Sequence, residues 1–437
     1  MLKLLLAAIL VYTTNQIHFP ADLGLPGLNI VNLMVLAGFG LLLMSPRDPE
    51  AHRPTLDGPL KFYFLALAVG LVIALVSRPM GLMADLTYFK TLVFFPLYYY
   101  LFFHGVQDRR TAWQLLLVVG AVAALAALEA LSEARAYGFT YSETRRSAGP
   151  FGPDYRSSNR AAVFYAMFLP LFLAPLLMLR GQAFWRLVAL GCVLLVAAAI
   201  LFTYSRQGYA IGLLAAALVA LRRGPFTALV LAAVFAVALP MLPEGASERV
   251  SETQQEGEFG EEQLDESTES RFEIWSGAMA MWSENPMGTG LNRFKSLIGE
   301  YSIYSDIDAH NYFVLTLAEA GPLGVVALLW LVWSMWRLAR LVQGAAIDAR
   351  TVALARGLQI AVLAMVLGNL YGSPFSEGAV MGMFWAVLAL LERLAILEQR
   401  EAEAWAAMAE ASAGAADARA SEPRLRHPDG GLTAGRP

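Results

Sequence analysis

Charged residues are scarce in this chain of 437 residues. Asp, Glu, Lys and Arg make up only 16% of it, whereas hydrophobic residues make up 57%. A soluble globular protein carries about 25% charged residues, so this composition excludes a soluble fold. The apolar residues suffice for about twelve membrane-spanning helices, because one such helix needs about 20 residues.

The chain has only one cysteine and no excess of positive charge. The single cysteine, Cys192, lies in an apolar run, so the chain can form neither an internal disulfide nor a four-cysteine zinc site. Its 32 basic and 36 acidic side chains give a formal net charge of −4. A nucleic-acid-binding surface needs an excess of basic residues, so nucleic acid is not an expected partner.

Twelve apolar runs are separated by polar or proline- and glycine-containing breaks. We predict that each run forms a helix, because a spanning backbone must satisfy its own hydrogen bonds and the runs are too long for barrel strands. The predicted spans are 2–19, 27–44, 60–77, 88–104, 111–131, 160–179, 184–204, 207–221, 225–243, 310–336, 352–371 and 376–396. The first run lacks a cleavage site for removal of a signal peptide and is expected to be retained. The sequence therefore predicts an all-α polytopic membrane protein.

Basic residues mark alternate short loops and predict the orientation of the chain. The loops concerned contain Arg47, Arg53 and Lys61, then Arg109 and Arg110, Arg180 and Arg186, Arg222 and Arg223, and finally Arg337, Arg340, Arg350 and Arg356. Such loops face the cytoplasm, so both termini are expected there. The bundle is assigned to residues 1–396, and residues 397–437 are expected to form a partly disordered cytoplasmic tail.

Two segments on the opposite side, 132–159 and 244–309, are long enough to hold structure. Residues 244–269 are acidic and poor in apolar residues, which is typical of a solvated linker. After them, Ser270 and Glu273 match a capping box, and Asn285-Pro286 forms a stop signal. The apolar residues between these signals recur at helical spacing: Phe272, Trp275, Met279 and Trp282. We expect an amphipathic helix that lies on the outer membrane face or on the bundle.

Three arginines on the outer side follow residues that can cap a helix. Arg206 follows Ser205 between two apolar runs, and the arrangement recurs at Asn159-Arg160 and at Ser270-Arg271. A guanidinium beside the unpaired amides of a helix N-terminus is suited to phosphate oxygens. We therefore expect a polyanionic ligand such as pyrophosphate on the outer face. The alternative for Arg206 is a side chain that merely extends to the membrane interface.

His310 opens the tenth predicted span at the level of the outer membrane surface. Histidine can transfer a proton near neutral pH. The hypothesis that we favour is a base that activates a hydroxyl while arginines hold a leaving pyrophosphate, with no metal. Two alternatives remain: a hydrogen-bonded interfacial histidine, and a cation site formed with Asp306 and Asp308.

Six short motifs occur in order across residues 146–324. They are Arg146-Ser-Ala-Gly-Pro-Phe-Gly continuing through Ser158-Asn159-Arg160, Thr203-Tyr-Ser-Arg206-Gln-Gly208, Ser270-Arg271-Phe-Glu-Ile-Trp275, Asn285-Pro-x-Gly-x-Gly290, Ala309-His310-Asn311, and Glu319-Ala-Gly-Pro-Leu-Gly324. On these motifs and the twelve-span frame, the chain resembles the O-antigen ligase / Wzy-type polymerase superfamily of bacterial membrane glycosyltransferases.

The resemblance implies a GT-C-like fold in the bacterial inner membrane, with the active face in the periplasm. It implies metal-independent, inverting transfer from a lipid-pyrophosphate-linked glycan donor, usually undecaprenyl-linked, without a cofactor. By the same resemblance His310 is the base and Arg206 and Arg271 hold the pyrophosphate, while Arg146 and Asn159 match the family pattern. The activity expected first is ligation of O-antigen to lipid A core.

Two departures from the family pattern keep the acceptor open. Segment 244–309 is shorter and more acidic than in many ligases that use lipid A core, and residues 152–159 replace the usual Asn-Pro-Asn. The alternatives are a polymerase that extends another lipid-linked chain and a protein O-glycan ligase. A transporter of lipid-linked glycans would place charged residues at mid-membrane, where only Glu129 and Glu319 come near.

Overall fold

Helices account for most of the chain. The computed structural model describes residues 1–20, 23–24, 28–45, 52–142, 144–152, 157–241, 245–246, 254–256, 262–264 and 266–421. The first ten helices are α1 (Leu2–Thr14), α2 (Ile30–Met44), α3 (Asp57–Ser77), α4 (Leu82–Phe94), α5 (Leu97–Gly105), α6 (Arg109–Ala136), α7 (Ser157–Met178), α8 (Ala183–Phe202), α9 (Arg206–Arg223) and α10 (Pro225–Ala238). They are followed by α11 (Glu266–Glu284), α12 (Phe294–Leu297), α13 (Tyr312–Ala345), α14 (Ala349–Leu370) and α15 (Gly378–Ser421).

The prediction of an all-α polytopic membrane protein is confirmed. Seven described helices are long and apolar enough to cross a membrane, namely α3, α6, α7, α8, α13, α14 and α15, and α1, α2 and α10 are shorter apolar helices. The remaining predicted spans differ for local reasons. Span 88–104 is divided into α4 and α5 at Phe95-Pro96, where proline cannot supply a backbone donor. Span 207–221 is the 18-residue α9, which carries arginines at both ends.

The centre of the bundle is α15. Within its apolar part, 94% of the most hydrophobic stretch is buried inside the protein, and Phe384 and Trp385 are completely enclosed. A helix that is apolar on all sides belongs inside a bundle. The helix continues without a break beyond residue 397, where we expected the tail to begin, and residues 401–413 are exposed. Residues 422–437 lie outside the described residues.

Polar contacts gather at the two ends of the bundle. At one end, Arg109 Nη2 lies 2.7 Å from Asp348 Oδ2, and the Thr55 hydroxyl donates to Glu392 Oε1 at 2.6 Å. These residues belong to loops and helix ends that the distribution of basic residues predicts to lie on the same side of the membrane. Loops that are predicted to lie on the same side of the membrane therefore contact each other in the structure. Which side is cytoplasmic stays a prediction, and Arg47 lies outside the described residues.

The segment before α11 is only partly described. Gln254–Glu256 and Glu262–Leu264 form an antiparallel pair of short strands in which Gln254 lies opposite Leu264. The amphipathic helix is confirmed as α11, which ends at Glu284, next to the predicted Asn285-Pro286 stop. The predicted start at a Ser270 cap is wrong, because the helix begins four residues earlier at Glu266. An acidic residue such as Glu269 stabilises the first turn of a helix.

One face of α11 rests on the bundle. Its buried residues are Ile274, Gly277, Ala278 and Met281. Gly277 cannot carry a larger side chain without displacement, because a Cβ there would lie 2.9 Å from the carbonyl oxygen of Tyr301. Phe272 and Met279 are exposed on the other side of the helix. The predicted apolar stripe is therefore divided between a packed face and an exposed face.

A kink in α13 anchors the turn that follows α11. Gly321 has φ +62° inside α13 and is followed by Pro322, so the carbonyl groups before it lack their helical donors. The amides of Thr289 and Gly290 donate to the carbonyl oxygens of Ala318 and Glu319 at 2.8 and 3.0 Å. The Asn285–Gly290 and Glu319–Gly324 motifs thus pack directly on each other.

The same turn is held by a buried ion pair that the sequence did not indicate. Arg293 is completely buried, and its Nη1 and Nη2 atoms each lie 2.6 Å from a carboxylate oxygen of Asp85. Arg293 Nε donates to the carbonyl oxygen of Arg78 at 2.7 Å, and Glu319 Oε1 accepts from the Arg293 amide at 3.0 Å. Residues 285–300 are therefore fixed to α3, α4 and α13.

Substitution of Asp85 by alanine should destabilise the protein strongly. The variant leaves the Arg293 guanidinium buried without its carboxylate, a loss of about 3–5 kcal/mol. Thermal unfolding of the purified protein in detergent measures it. The matched control is Glu129→Ala, which breaks a pair with His18 whose side chains are 48% and 31% exposed and should cost at most about 1 kcal/mol. Equal melting temperatures for both variants would contradict the structural role of the pair.

Candidate active site

Asn159 joins the loop before α7 to the start of α9. Its Oδ1 atom accepts from Arg146 Nη2 at 2.9 Å and from the Ser205 hydroxyl at 3.0 Å. Arg146 Nε also donates to the carbonyl oxygen of Thr203 at 2.8 Å. Our expectation that Asn159 caps the helix is wrong, because α7 begins at Ser157. The amide side chain instead links two elements.

Arg206 is the first residue of α9, as the sequence predicts. Ser205 is the N-cap, and its hydroxyl oxygen accepts from the Gly208 amide at 3.3 Å. A Cβ on Gly208 would lie 2.6 Å from the Cβ of Ala162 in α7, so glycine permits the close approach of the two helices. This approach brings the N-terminal turns of α7 and α9, with Arg160 and Arg206, to the same end of the bundle.

Arg160 makes an ion pair that the sequence did not predict. Its Nε atom lies 2.8 Å from Glu377 Oε1, and the two side chains are 48% and 27% exposed. Glu377 is in the loop just before α15, outside the spanning helices. Burial raises the pKa of Glu377 to about 7; the Arg160 guanidinium opposes the rise and Asp308 adds to it. The only sequence signal for Glu377 was an acidic residue at the outer start of an apolar run.

His310 is held in a strained backbone conformation immediately before α13. Its φ is +49°, which costs about 1–3 kcal/mol for a residue other than glycine. The neighbouring residues fix it on both sides. Asn311 caps α13 by accepting from the amides of Phe313 and Val314 at 3.0 and 3.2 Å, and the Ala309 carbonyl oxygen accepts from Trp275 Nε1 at 2.8 Å.

Arg271 lies in the second turn of α11 and not beside its first amides, because the helix starts at Glu266. Its guanidinium carbon is 5.9 Å from the ring centre of Tyr371, within the range of a cation–π interaction. The Tyr371 ring also lies 6.3 Å from Trp275. The next residue, Gly372, accepts from the Tyr312 amide at 3.1 Å.

The six predicted site residues therefore form two groups at one end of the bundle. The first group contains Arg146, Asn159, Arg160 and Arg206 on and before α7 and α9. The second contains Arg271 and His310 on α11 and before α13. The loop 371–377 contacts the first group through Glu377 and the second through Tyr371, and its Gly372 also binds Tyr312, two residues after His310.

Glu129 and Glu319, the acidic residues that the sequence places nearest to mid-membrane, both have partners. Glu319 is buried and accepts from backbone amides and from the Tyr88 hydroxyl at 3.1 Å, so it supports the turn 285–300. Glu129 pairs with His18 at 2.9 Å. Within the described ranges, no three His, Cys, Asp or Glu side chains have the arrangement of a metal site, and this includes Asp306, Asp308 and His310.

The fold is that of a polytopic membrane protein, and its candidate site combines several arginines with a histidine in a strained backbone conformation. Residues 190–329 match the family model of the O-antigen ligases, which confirms the resemblance and indicates a membrane glycan ligase or polymerase. The match contains Arg206, Arg271 and His310, whereas Arg146, Asn159, Arg160 and Glu377 lie outside it. No curated protein matches the chain.

Replacement of Arg206 by lysine should lower glycosyl transfer although the charge is kept. Lysine lacks the planar fork that binds two phosphate oxygens together, so we expect a loss of at least about tenfold. Transfer is measured as the rate at which membranes containing the variant produce glycosylated acceptor. The matched control is Arg135→Lys, at an exposed arginine of α6, which should keep the wild-type rate. Full activity of Arg206→Lys would contradict a bidentate role.

Proposed function

We propose that this protein transfers a lipid-pyrophosphate-linked glycan, with an undecaprenyl-type carrier, to a hydroxyl of lipid A core on the periplasmic face of the inner membrane. The observation that carries this proposal is the arrangement of Asn159, Arg160 and Arg206 at the starts of two touching helices, with Arg146 bound to them from the loop before α7. They share one end of the bundle with His310, which lies in the segment that matches the O-antigen ligase family.

The pyrophosphate binds at the N-terminal turns of α7 and α9. Two helix N-termini contribute their first-turn amides and their positive dipole ends, which favour an anionic ligand. The Arg206 guanidinium extends from the first turn of α9, and Asn159 keeps the Arg146 guanidinium against α7 and α9. Arg271 approaches from α11. Arginine charge compensates the negative charge that a departing pyrophosphate accumulates.

His310 takes the proton of the acceptor hydroxyl. The oxygen then attacks the anomeric carbon, the bond from this carbon to the pyrophosphate oxygen breaks, and the lipid pyrophosphate leaves with the electron pair. A single displacement of this kind inverts the anomeric configuration. The fixed neighbours of His310, Ala309 and Asn311, hold its backbone in place, which is what a positioned general base requires. In this mechanism the arginines supply the charge that a metal would otherwise provide.

The position of the charged residues favours an enzyme over a transporter. A transporter is expected to keep functional charges at mid-membrane, whereas the arginines and His310 gather at one end, and Glu129 and Glu319 are occupied by His18 and by the turn 285–300. A polymerase and a protein O-glycan ligase would use the same donor and the same residues, so they differ from our proposal only in the acceptor.

Cells that lack the native gene and carry the His310→Ala variant test the proposal. We expect lipid A core without attached polymer, while long chains accumulate on the lipid carrier, as seen on gels of extracted glycolipids probed for the polymer. Complementation with the wild-type gene is the control, and the variant must be present in the membrane at the wild-type level. Single-repeat glycolipids without long chains would indicate a polymerase. A wild-type glycan pattern would refute the role of His310.

A further inference from the structure

Glu377 contacts Arg160, a proposed pyrophosphate arginine, and has no role in the proposed transfer. It lies outside the segment that matches the family model. Its backbone carbonyl begins α15, since the amides of Val380 and Met381 donate to it at 3.2 and 2.9 Å. Because the start of this central helix is fixed, the Glu377 carboxylate is held next to Arg160.

The carboxylate occupies an edge of Arg160 that a phosphate would also use. Arg160 Nε lies 2.8 Å from Glu377 Oε1. A guanidinium presents its donors in a fixed planar fork, so the Nε–H that points at Glu377 is not available to a phosphate oxygen while the carboxylate is bound there. Both side chains are partly exposed, at 48% and 27%, and an exposed ion pair is weak. A strong anion can therefore replace the carboxylate.

The charged groups that face Glu377 are Arg160 from α7 and Asp308 from the loop before α13. Arg160 stabilises the ionised carboxylate, and Asp308 destabilises it. With burial, these effects leave the pKa of Glu377 at about 7. When an anionic ligand binds Arg160 in place of Glu377, only burial and Asp308 still act on the carboxylate, and both disfavour its ionised form. The displaced carboxylate then binds a proton.

We propose that Glu377 is an internal counter-anion that holds Arg160 while the donor site is empty and is displaced from it by the donor pyrophosphate. This inference rests on the proposed function, since it requires a pyrophosphate ligand near Arg160. It makes Glu377 a residue that sets donor affinity. Binding becomes weaker as the pH rises through 7, because the ionised carboxylate then competes for Arg160.

The test compares donor binding by the full-length wild-type protein and by Glu377→Gln in detergent. The probe is a short-chain isoprenyl-diphosphate-linked N-acetylglucosamine, a diester whose own charge is constant near pH 7. At pH 8 we expect Glu377→Gln to bind about three- to fivefold more tightly, the range of an exposed ion pair. At pH 6 the two proteins should bind equally, because wild-type Glu377 is then protonated. Loss of a merely structural contact would weaken binding, not strengthen it.

Two further variants test the inference even if Glu377→Gln alone fails to fold. In the Arg160→Gln background, Glu377→Gln should have no further effect on affinity, because the group for which it competes is gone. Asp308→Asn should shift the pH midpoint of donor binding downwards, since it removes a charge that disfavours ionised Glu377.

Equal or weaker binding by Glu377→Gln at pH 8, or an unchanged pH midpoint in Asp308→Asn, would overturn the inference. Failure of the proposed function has a different signature. In that case the wild-type protein would not bind the diphosphate probe at any pH, whereas failure of the Glu377 inference alone leaves wild-type binding and transfer intact.

Discussion

The buried ion pair between Arg293 and Asp85 is the constraint on which the histidine side of the site depends. Both side chains are removed from solvent, with 0% and 1% exposed, and such charges are tolerated only when they are paired and hydrogen-bonded. The pair fixes residues 285–300 to α4, while Glu319 and the carbonyl groups released by the Gly321 kink bind the same turn from α13. The loop that leaves this turn ends at His310.

The arginine side of the site depends on the contact between α7 and α9. Gly208 lets α9 approach Ala162, and Asn159 then joins Arg146 to the Ser205 cap. The two sides are connected by the loop 371–377, which leads into α15; the apolar stretch of α15 is the most buried among the seven described candidate spans. Apart from Arg271, which lies in the second turn of α11, the candidate site residues are therefore carried by loops or helix starts that packed helices hold in place.

The sequence predicted those features that depend only on residues close together in the chain, such as apolar runs and helix caps. The bilayer requires long apolar helices, so the polytopic all-α fold could be predicted from the runs alone, and Ser205 before Arg206 is a capping signal that the structure bears out. Ser270 and Asn159 carry the same signal and do not cap their helices. Residues before these positions extend both helices, and in α11 they include Glu269, an acidic residue suited to a first turn.

Arg293 and Glu377 could not be found in this way because their partners are distant in sequence. Asp85 lies 208 positions from Arg293, and Arg160 is carried by a helix at the other side of the loop 371–377. Nothing in the composition or spacing around Arg293 separates a buried arginine from a solvated one. Only the packing of α3, α4, α7 and α15 brings these charges together.

The most direct test of the account is transfer by the purified protein with a chelator present. A lipid-diphosphate-linked glycan of known anomeric configuration and lipid A core are incubated with the protein in EDTA, and the new linkage is analysed by NMR. The account predicts a glycosylated core with inverted configuration and release of lipid pyrophosphate. A retained configuration, or transfer that occurs only after Mg²⁺ is added, would contradict a single displacement supported by arginine and histidine.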